Sequence, residues 1–316
     1  MYRTALKQLG WLGFCLFLLV APATAQQPDP DINLMGAIDI HAHMGPDSMP
    51  REIDADDLAR LAKQLGMRGL VLKNHWEPTA SMAYLMRKEV PGIELFGGVT
   101  QDRAVGGINL EAVKHMANVK GGYGRVVWLP TFDSEAAVKG RGPFVPVSRD
   151  GKLLPGVIEL IDYIAAHPQL VLETGHVSAE EALLVIRDAR AHGVKHLVVT
   201  HAMAAPINMT IPQMQQAAKD GAFLEFVYAA TLGRNAHLTV AKYAEAIRAV
   251  GPQFCILATD LGGTPAPGDP PRPFPPQGLL EFMRDLHAQG FSVADINLMA
   301  KTNPALALGL APYNGQ

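Results

Sequence analysis

Eight short apolar runs, each ending in polar residues and separated by longer segments, set the strongest limit on how this chain folds. They are AIDIHAH (37–43), GLVLKNH (69–75), IELFGGVTQ (93–101), RVVWLPT (125–131), LVLETGH (170–176), HLVVTH (196–201), AFLEFVY (222–228) and CILATD (255–260). Runs of this length and composition read as strands buried on both faces. The intervals carry a helical period. In DADDLARLAKQLG (54–66), Leu58, Leu61, Ala62 and Leu65 fall on one face and Gly66 stops the run. LLPGVIELIDYIAAH (153–167) and SAEEALLVIRDARAHG (178–193) repeat the pattern, the second opening on a Ser178–Glu181 capping box. Further helices are expected at 109–120, 211–220, 238–250 and 278–289. Strand and helix alternating eight times predict an α/β protein of the closed (β/α)8 TIM-barrel type. A doubly wound open sheet is the alternative, but its design does not call for eight strands.

The connections have a polarity. Short turns at Gly66–Gly69, Gly193–Val194 and Asp220–Gly221 precede strands, whereas the long segments 132–152 and 262–278 follow the fourth and eighth. In a barrel, segments that follow strands build the catalytic face, so these two are read as walls or a lid of its mouth, with a plain surface loop as the alternative for each. The second is too proline-rich to be read as helix or inner strand. At the far end, DINLMAKTNPALALGL (295–310) reads as a final helix packed against the barrel, with a boundary at Asn303-Pro304.

The first 25 of the 316 residues differ from the rest: MYRTALKQ carries Arg3 and Lys7, LGWLGFCLFLLV is apolar throughout, and APATA ends on small residues. This three-part pattern is that of a secretory signal peptide cleaved after Ala25, leaving one barrel domain over 26–316 in the periplasm or outside the cell. The apolar stretch Leu9–Val20 is short for a retained membrane anchor, the competing reading. No stable membrane insertion is expected after cleavage. Cys15 leaves with the segment, so Cys255 remains alone, no intramolecular disulfide forms, and stability has to come from a large core. Loss of Arg3 and Lys7 takes the formal charge from −3 to −5, with 25 basic against 30 acidic residues. With no basic patch or arginine-rich run, nucleic acid is not an expected partner.

Chemistry is suggested by where the polar residues fall. Side chains alternate along a strand, so Asp39, His41 and His43 in IDIHAH share one face, and two imidazoles at a strand end suit a zinc-like ion. His176 ends the fifth run, His201 the sixth and Asp260 the eighth. In a barrel these ends converge on one mouth. His115, His167, His192, His237 and His287 lie in helices or at their ends and are read as structural, as is His196 at the opposite end of its strand.

This constellation resembles the amidohydrolase superfamily of metal-dependent hydrolases, in a poorly characterised bacterial branch carrying VLKNH, TGH, VTH and TDLG segments. The resemblance implies that His41, His43, His176, His201 and Asp260 hold one or two divalent ions, Zn2+ or in its place Mn2+ or Fe2+. It departs from the two-metal pattern after the fourth strand, where Pro130-Thr131 stands instead of a lysine or glutamate. Lys73 ends the second run instead. It either bridges two ions as a carboxylated lysine, fixes a substrate anion as an ammonium, or snorkels to solvent. His75 either ligates a second ion or binds substrate. Trp128 and Thr131 are candidates to line a substrate pocket, with a core role for Trp128 as the alternative. Glu173 is expected to face away from the metal, Glu225 to brace the lumen, and the GGIN turn (106–109) to offer backbone amides to an anion.

The expected activity is hydrolysis of an amide, lactone or ester of a small molecule. Asp260 is the expected base, His201 orients or polarises, and Lys73 takes part. A decarboxylase or other lyase, a phosphoester hydrolase and a non-catalytic exported metal-binding protein are the alternatives. A lone cysteine, placed away from the mouth, favours an open site over a structural zinc. A homodimer is compatible with all of these.

Overall fold

The structure, a computed structural model, describes residues 29–233 and 236–313. The expected signal peptide and its cleavage site lie outside the described residues. Among the described residues ten strands occur in chain order: β1 Ile38–Ala42, β2 Gly69–Leu72, β3 Glu94–Thr100, β4 Gly124–Trp128, β5 Ser148–Arg149, β6 Lys152–Leu153, β7 Val171–Glu173, β8 His196–Val199, β9 Phe223–Val227 and β10 Cys255–Ala258. Eight of them form one parallel sheet in the order β1-β2-β3-β4-β7-β8-β9-β10. The ends of that sheet meet: Asp260 N donates to His41 O (2.8 Å) and His43 N to Leu261 O (2.9 Å). The chain is therefore a (β/α)8 barrel, closed at the end where the histidines sit. Its strands are mostly apolar and buried because the lumen and the helical ring both exclude water; the polar exceptions, Asp39, His41, Glu173 and Glu225, are buried too.

The ring contains α1 Ala55–Gln64, α2 Ala80–Glu89, α3 Leu110–Ala117, the one-turn α4 Glu135–Val138, α5 Pro155–Ala166, α6 Ala179–Ala191, α7 Ile211–Lys219, α8 Val240–Val250 and α9 Pro275–Ala288. The expected capping box on α6 is present, with Glu181 N donating to Ser178 Oγ at 3.2 Å. The sequence reading omitted α2, whose buried residues are only Ala80 and Ala83. The long segment after β4 holds the antiparallel β5–β6 hairpin, turned by Asp150-Gly151. The segment after β10 is not loop throughout: Pro275 and Pro276 enter the first turn of α9, where their missing N–H groups are not needed.

The Asn303-Pro304 boundary is also corrected. Helical structure runs from Val293 to Ala307 through a π-type stretch, Leu298–Thr302, that carries the chain into the proline without a break. Asn303 Nδ2 donates to Pro252 O (2.9 Å) and Cys255 O (2.7 Å), fastening this segment at the start of β10, away from the mouth. Among the described residues no helix is long and apolar enough to cross a membrane.

Candidate metal centre

Asp39 in β1 fastens that strand to the C-terminal end of β10. Asp39 takes Thr259 Oγ1 (2.5 Å) and Thr259 N (3.2 Å) from the last strand, and His41 N (3.0 Å) from its own. His41 and His43 thereby leave β1 on the lumen face. Their Nδ1 atoms are engaged from behind: His41 Nδ1 lies 3.1 and 3.2 Å from the two Glu225 oxygens, and His43 Nδ1 donates to Lys73 O at 2.8 Å. Both Nε2 atoms then point forward, each 3.0 Å from Asp260 Oδ1. The ligand atoms of His41, His43 and Asp260 all lie within 4.8 Å of one another. Imidazoles oriented by a carboxylate or carbonyl on the far nitrogen are the arrangement metal-ligating histidines adopt.

His176 and His201 stand beside this cluster, their ring centroids 4.7 Å apart and His201 6.0 Å from His41. Glu225 Oε2 also accepts from His201 N at 2.7 Å, so one carboxylate braces two of the strand-end histidines, the role expected of it. His201 and Asp260 both have positive φ, 25° and 53°. Strained backbone of that kind persists where surrounding structure holds it, often at functional sites. Gly175 makes the turn that delivers His176: its φ is 60° and a Cβ there would meet Leu129 O at 2.1 Å.

His201 Nδ1 is buried and has no hydrogen-bond partner. An orphaned imidazole nitrogen beside a His/His/Asp donor set fits a divalent cation, which would satisfy atoms that the protein leaves open. The electrostatics agree at each of these groups but His41. Burial pushes His43 and His201 down to about 4, and His75 and His176 well below the ordinary histidine value, so their nitrogens are neutral. Burial alone would raise Asp260, but His41 and His43 hold it well below the usual carboxylate range. Burial and Lys73 oppose charge on His41, yet Glu225 and Asp260 outweigh them and raise it to about 10.

Lys73 is fully buried, which overturns the snorkelling alternative. Its Nζ lies 3.0 Å from His41 Nε2 and 5.6 Å from the centroid of the Trp128 ring, and burial lowers its pKa. The remaining expected pocket residues are placed differently from one another. A cavity of about 340 Å³ opens over the cluster, and His43, His75, His176, His201 and Asp260 line it. Trp128 and Thr131 do not; they are buried behind it. Trp128 Nε1 donates to Glu173 Oε2 (2.8 Å) and Thr131 N donates to Asp102 Oδ1 (2.7 Å).

The sequence reading of Glu173 is corrected. Its carboxylate is inside the barrel, accepting from Trp128 and from Thr200 Oγ1 (3.1 Å), and burial together with the Glu225 charge raises it to about 8. His237, read as structural, lines the cavity and accepts from Ala205 N at 3.2 Å. Arg51, Arg272 and Phe132 also reach the wall from loops whose sequence carries no strand or helix period. The GGIN turn lies elsewhere, on a separate cavity of about 510 Å³ that no histidine or carboxylate lines. There Asn109 caps α3 by accepting from Ala112 N at 3.2 Å.

A family model described as a family of unknown function (DUF6282) matches residues 36–225. The chain belongs to that family. The DUF6282 match starts just before β1 and ends at Glu225, so it contains His41, His43, Lys73, His75, His176 and His201, while Asp260 lies beyond it. Comparison with curated proteins finds no match. Among solved structures, this DUF6282 chain is similar to an amidohydrolase from Pseudomonas aeruginosa, at 13% identity and a TM-score of 0.61, over 88% of this chain and 96% of that one. It is similar to the organophosphorus hydrolase from Deinococcus radiodurans at 14% identity and a TM-score of 0.59, over 88% and 94% of the two chains. A structure described as molecular engineering of organophosphate hydrolysis activity from a weak promiscuous lactonase template matches at 14% identity and 0.58, over 88% and 97%. At these identities the likeness establishes the barrel fold expected from the resemblance to the amidohydrolase superfamily. The His41–His43–Asp260 cluster is this chain's own.

Proposed function

We propose that the protein is a metal-dependent hydrolase that adds water across an amide, lactone or ester bond of a small molecule after export from the cytoplasm. The observation that carries this reading is the approach of His41 Nε2, His43 Nε2 and Asp260 Oδ1 to one another, with His43 and Asp260 lining an open cavity and His41 buried behind them. A divalent ion held there by these three residues, with His176 and His201 beside it, supplies Lewis acidity for water and for the scissile carbonyl. Zinc, manganese and iron all suit such nitrogen and oxygen donors. A second ion would be held by His176 and His201, joined by Lys73 were its amine carboxylated.

The chain's own groups handle the proton. Asp260, ionised and 29% exposed at its side chain, accepts a proton from the attacking water at a carboxylate oxygen and returns it to the leaving heteroatom. His41 and His43 are held rigid by Glu225 and Lys73 O, which keeps Asp260 Oδ1 at a fixed distance from both rings. Lys73 Nζ is enclosed between His41 and Trp128 and is not part of the cavity wall, which argues against its fixing a substrate anion directly.

Exchange of Asp260 tests the reading. An Asp260→Asn protein, loaded with zinc and assayed on a panel of lactones, aryl esters and amides, should lose turnover by at least about 100-fold, the usual worth of an acid–base group. It should keep much of its metal through the histidines. Full turnover by that variant removes Asp260 from the chemistry.

A further inference from the structure

A chain of buried polar groups reaches the cavity from the side of β2, β3 and β4, and no step above uses it. Asp102, in the turn after β3, accepts at Oδ1 from the backbone N–H groups of Thr131 (2.7 Å) and Asp133 (3.2 Å). Its Oδ2 accepts from the Thr131 hydroxyl. A hydroxyl has one hydrogen, and here the carboxylate takes it. Thr131 Oγ1, left with only lone pairs to offer, faces His75 Nδ1 at 2.8 Å, so Nδ1 has to be the nitrogen that carries hydrogen. In a neutral imidazole the other nitrogen, Nε2, then presents a lone pair.

That His75 ring lies in the cavity wall, its centroid 5.0 Å from His43, 6.0 Å from His176 and 4.1 Å from Phe132. Asp102 and Thr131 are fully buried, and neither lines the cavity. Their effect on anything bound there is transmitted through His75.

We propose that Asp102 and Thr131 are positioning residues that lock His75 in its Nδ1–H tautomer, and that His75 Nε2 accepts a hydrogen bond from an N–H or O–H of the substrate. The substrate assignment rests on the hydrolase reading above; the tautomer does not. A group that only accepts, such as a carboxylate or a plain ester oxygen, gains nothing from this nitrogen. A secondary amide, or an ester or lactone with a hydroxyl near the scissile bond, does. A site built to bind a donor rejects the analogue lacking it, because its own buried acceptor is left unpaired.

The test joins a spectrum to a rate. Long-range proton–nitrogen NMR of nitrogen-15-labelled protein, with and without zinc, should show His75 with Nδ1 protonated and Nε2 bare. Thr131→Ser should preserve that signature. Thr131→Val should mix the tautomers, and Asp102→Asn should invert them, because an amide can donate to Thr131 and turn its hydroxyl toward His75. Among amides the enzyme cleaves, the N–H form should exceed its N-methyl counterpart by at least about tenfold in kcat/KM. Thr131→Val should erase that preference and Thr131→Ser should restore it.

A wild-type His75 protonated at Nε2 overturns the proposal. So does scalar coupling of Nε2 to cadmium-113, since a metal ligand cannot also be the substrate acceptor, and so does an unchanged N–H preference in Thr131→Val. Failure to cleave any amide, ester or lactone would sink the hydrolase reading and with it the substrate half, leaving the tautomer to be decided by the spectrum alone.

Discussion

Glu225 is the residue on which most of the site's geometry depends, since its two oxygens engage His41 Nδ1 and its Oε2 also takes His201 N. An amide in its place offers one acceptor oxygen and leaves one contact unmade. Glu225→Gln should therefore fold but bind zinc about 10- to 100-fold more weakly, the usual cost of losing a residue that orients a metal ligand. Competition with a fluorescent chelator measures this, and unchanged affinity would show that His41 needs no such brace. Glu173 permits a prediction with a sign. Burial first, then the charge of Glu225, raises it from 4.5 to about 8 in the folded protein. Between those values the folded state keeps a proton that the unfolded state has lost, so the stability this group contributes is present at low pH and is lost as pH rises through the window. Urea denaturation of metal-free protein at pH 5 and pH 8 should show a smaller fall for Glu173→Gln than for the wild type; equal falls would mean that the carboxylate is not buried as described.

At the scale of elements, the site depends on how β1 and β10 close the barrel. Gly262 follows that junction with φ of 103°, and a Cβ there would lie 1.9 Å from His43 O. Gly262→Ala should cost at least about 2 kcal/mol, from left-handed backbone strain plus a clash with main chain that cannot rotate away. It should weaken metal binding as His43 shifts; thermal denaturation within 1 °C of the wild type would contradict the account. Strands and the histidine register were legible in the sequence because apolar runs mark doubly buried strands, several of them turn polar as they leave the core, and period two puts His41 and His43 on one face. The same parity argument failed for Glu173. It assumed that the strand continues to His176, whereas β7 ends at Glu173 and the chain turns at Gly175, which breaks the alternation. Helix α2 was missed because its inward face is two alanines rather than an apolar stripe. Asp102 left no local trace: its role is defined by Thr131, 29 residues on, and by a histidine in the loop after β2.

Across the whole molecule, a barrel gathers residues from opposite ends of the chain: His43 meets Asp260 across 217 positions and His41 meets Glu225 across 184. His41, His43 and Glu225 are buried and Asp260 partly so, in a chain with no disulfide among the described residues. Groups of this kind are costly to bury unless paired with one another or with a cation. A metal centre formed by these residues has a direct signature. It is tested most directly by elemental analysis of freshly purified protein, joined to diffraction with anomalous data at the zinc, iron and manganese edges. The account predicts at least one ion per chain, within about 2.0–2.3 Å of His41 Nε2, His43 Nε2 and an Asp260 oxygen. A protein that takes up no divalent ion, or whose anomalous peak lies away from these three residues, would contradict it.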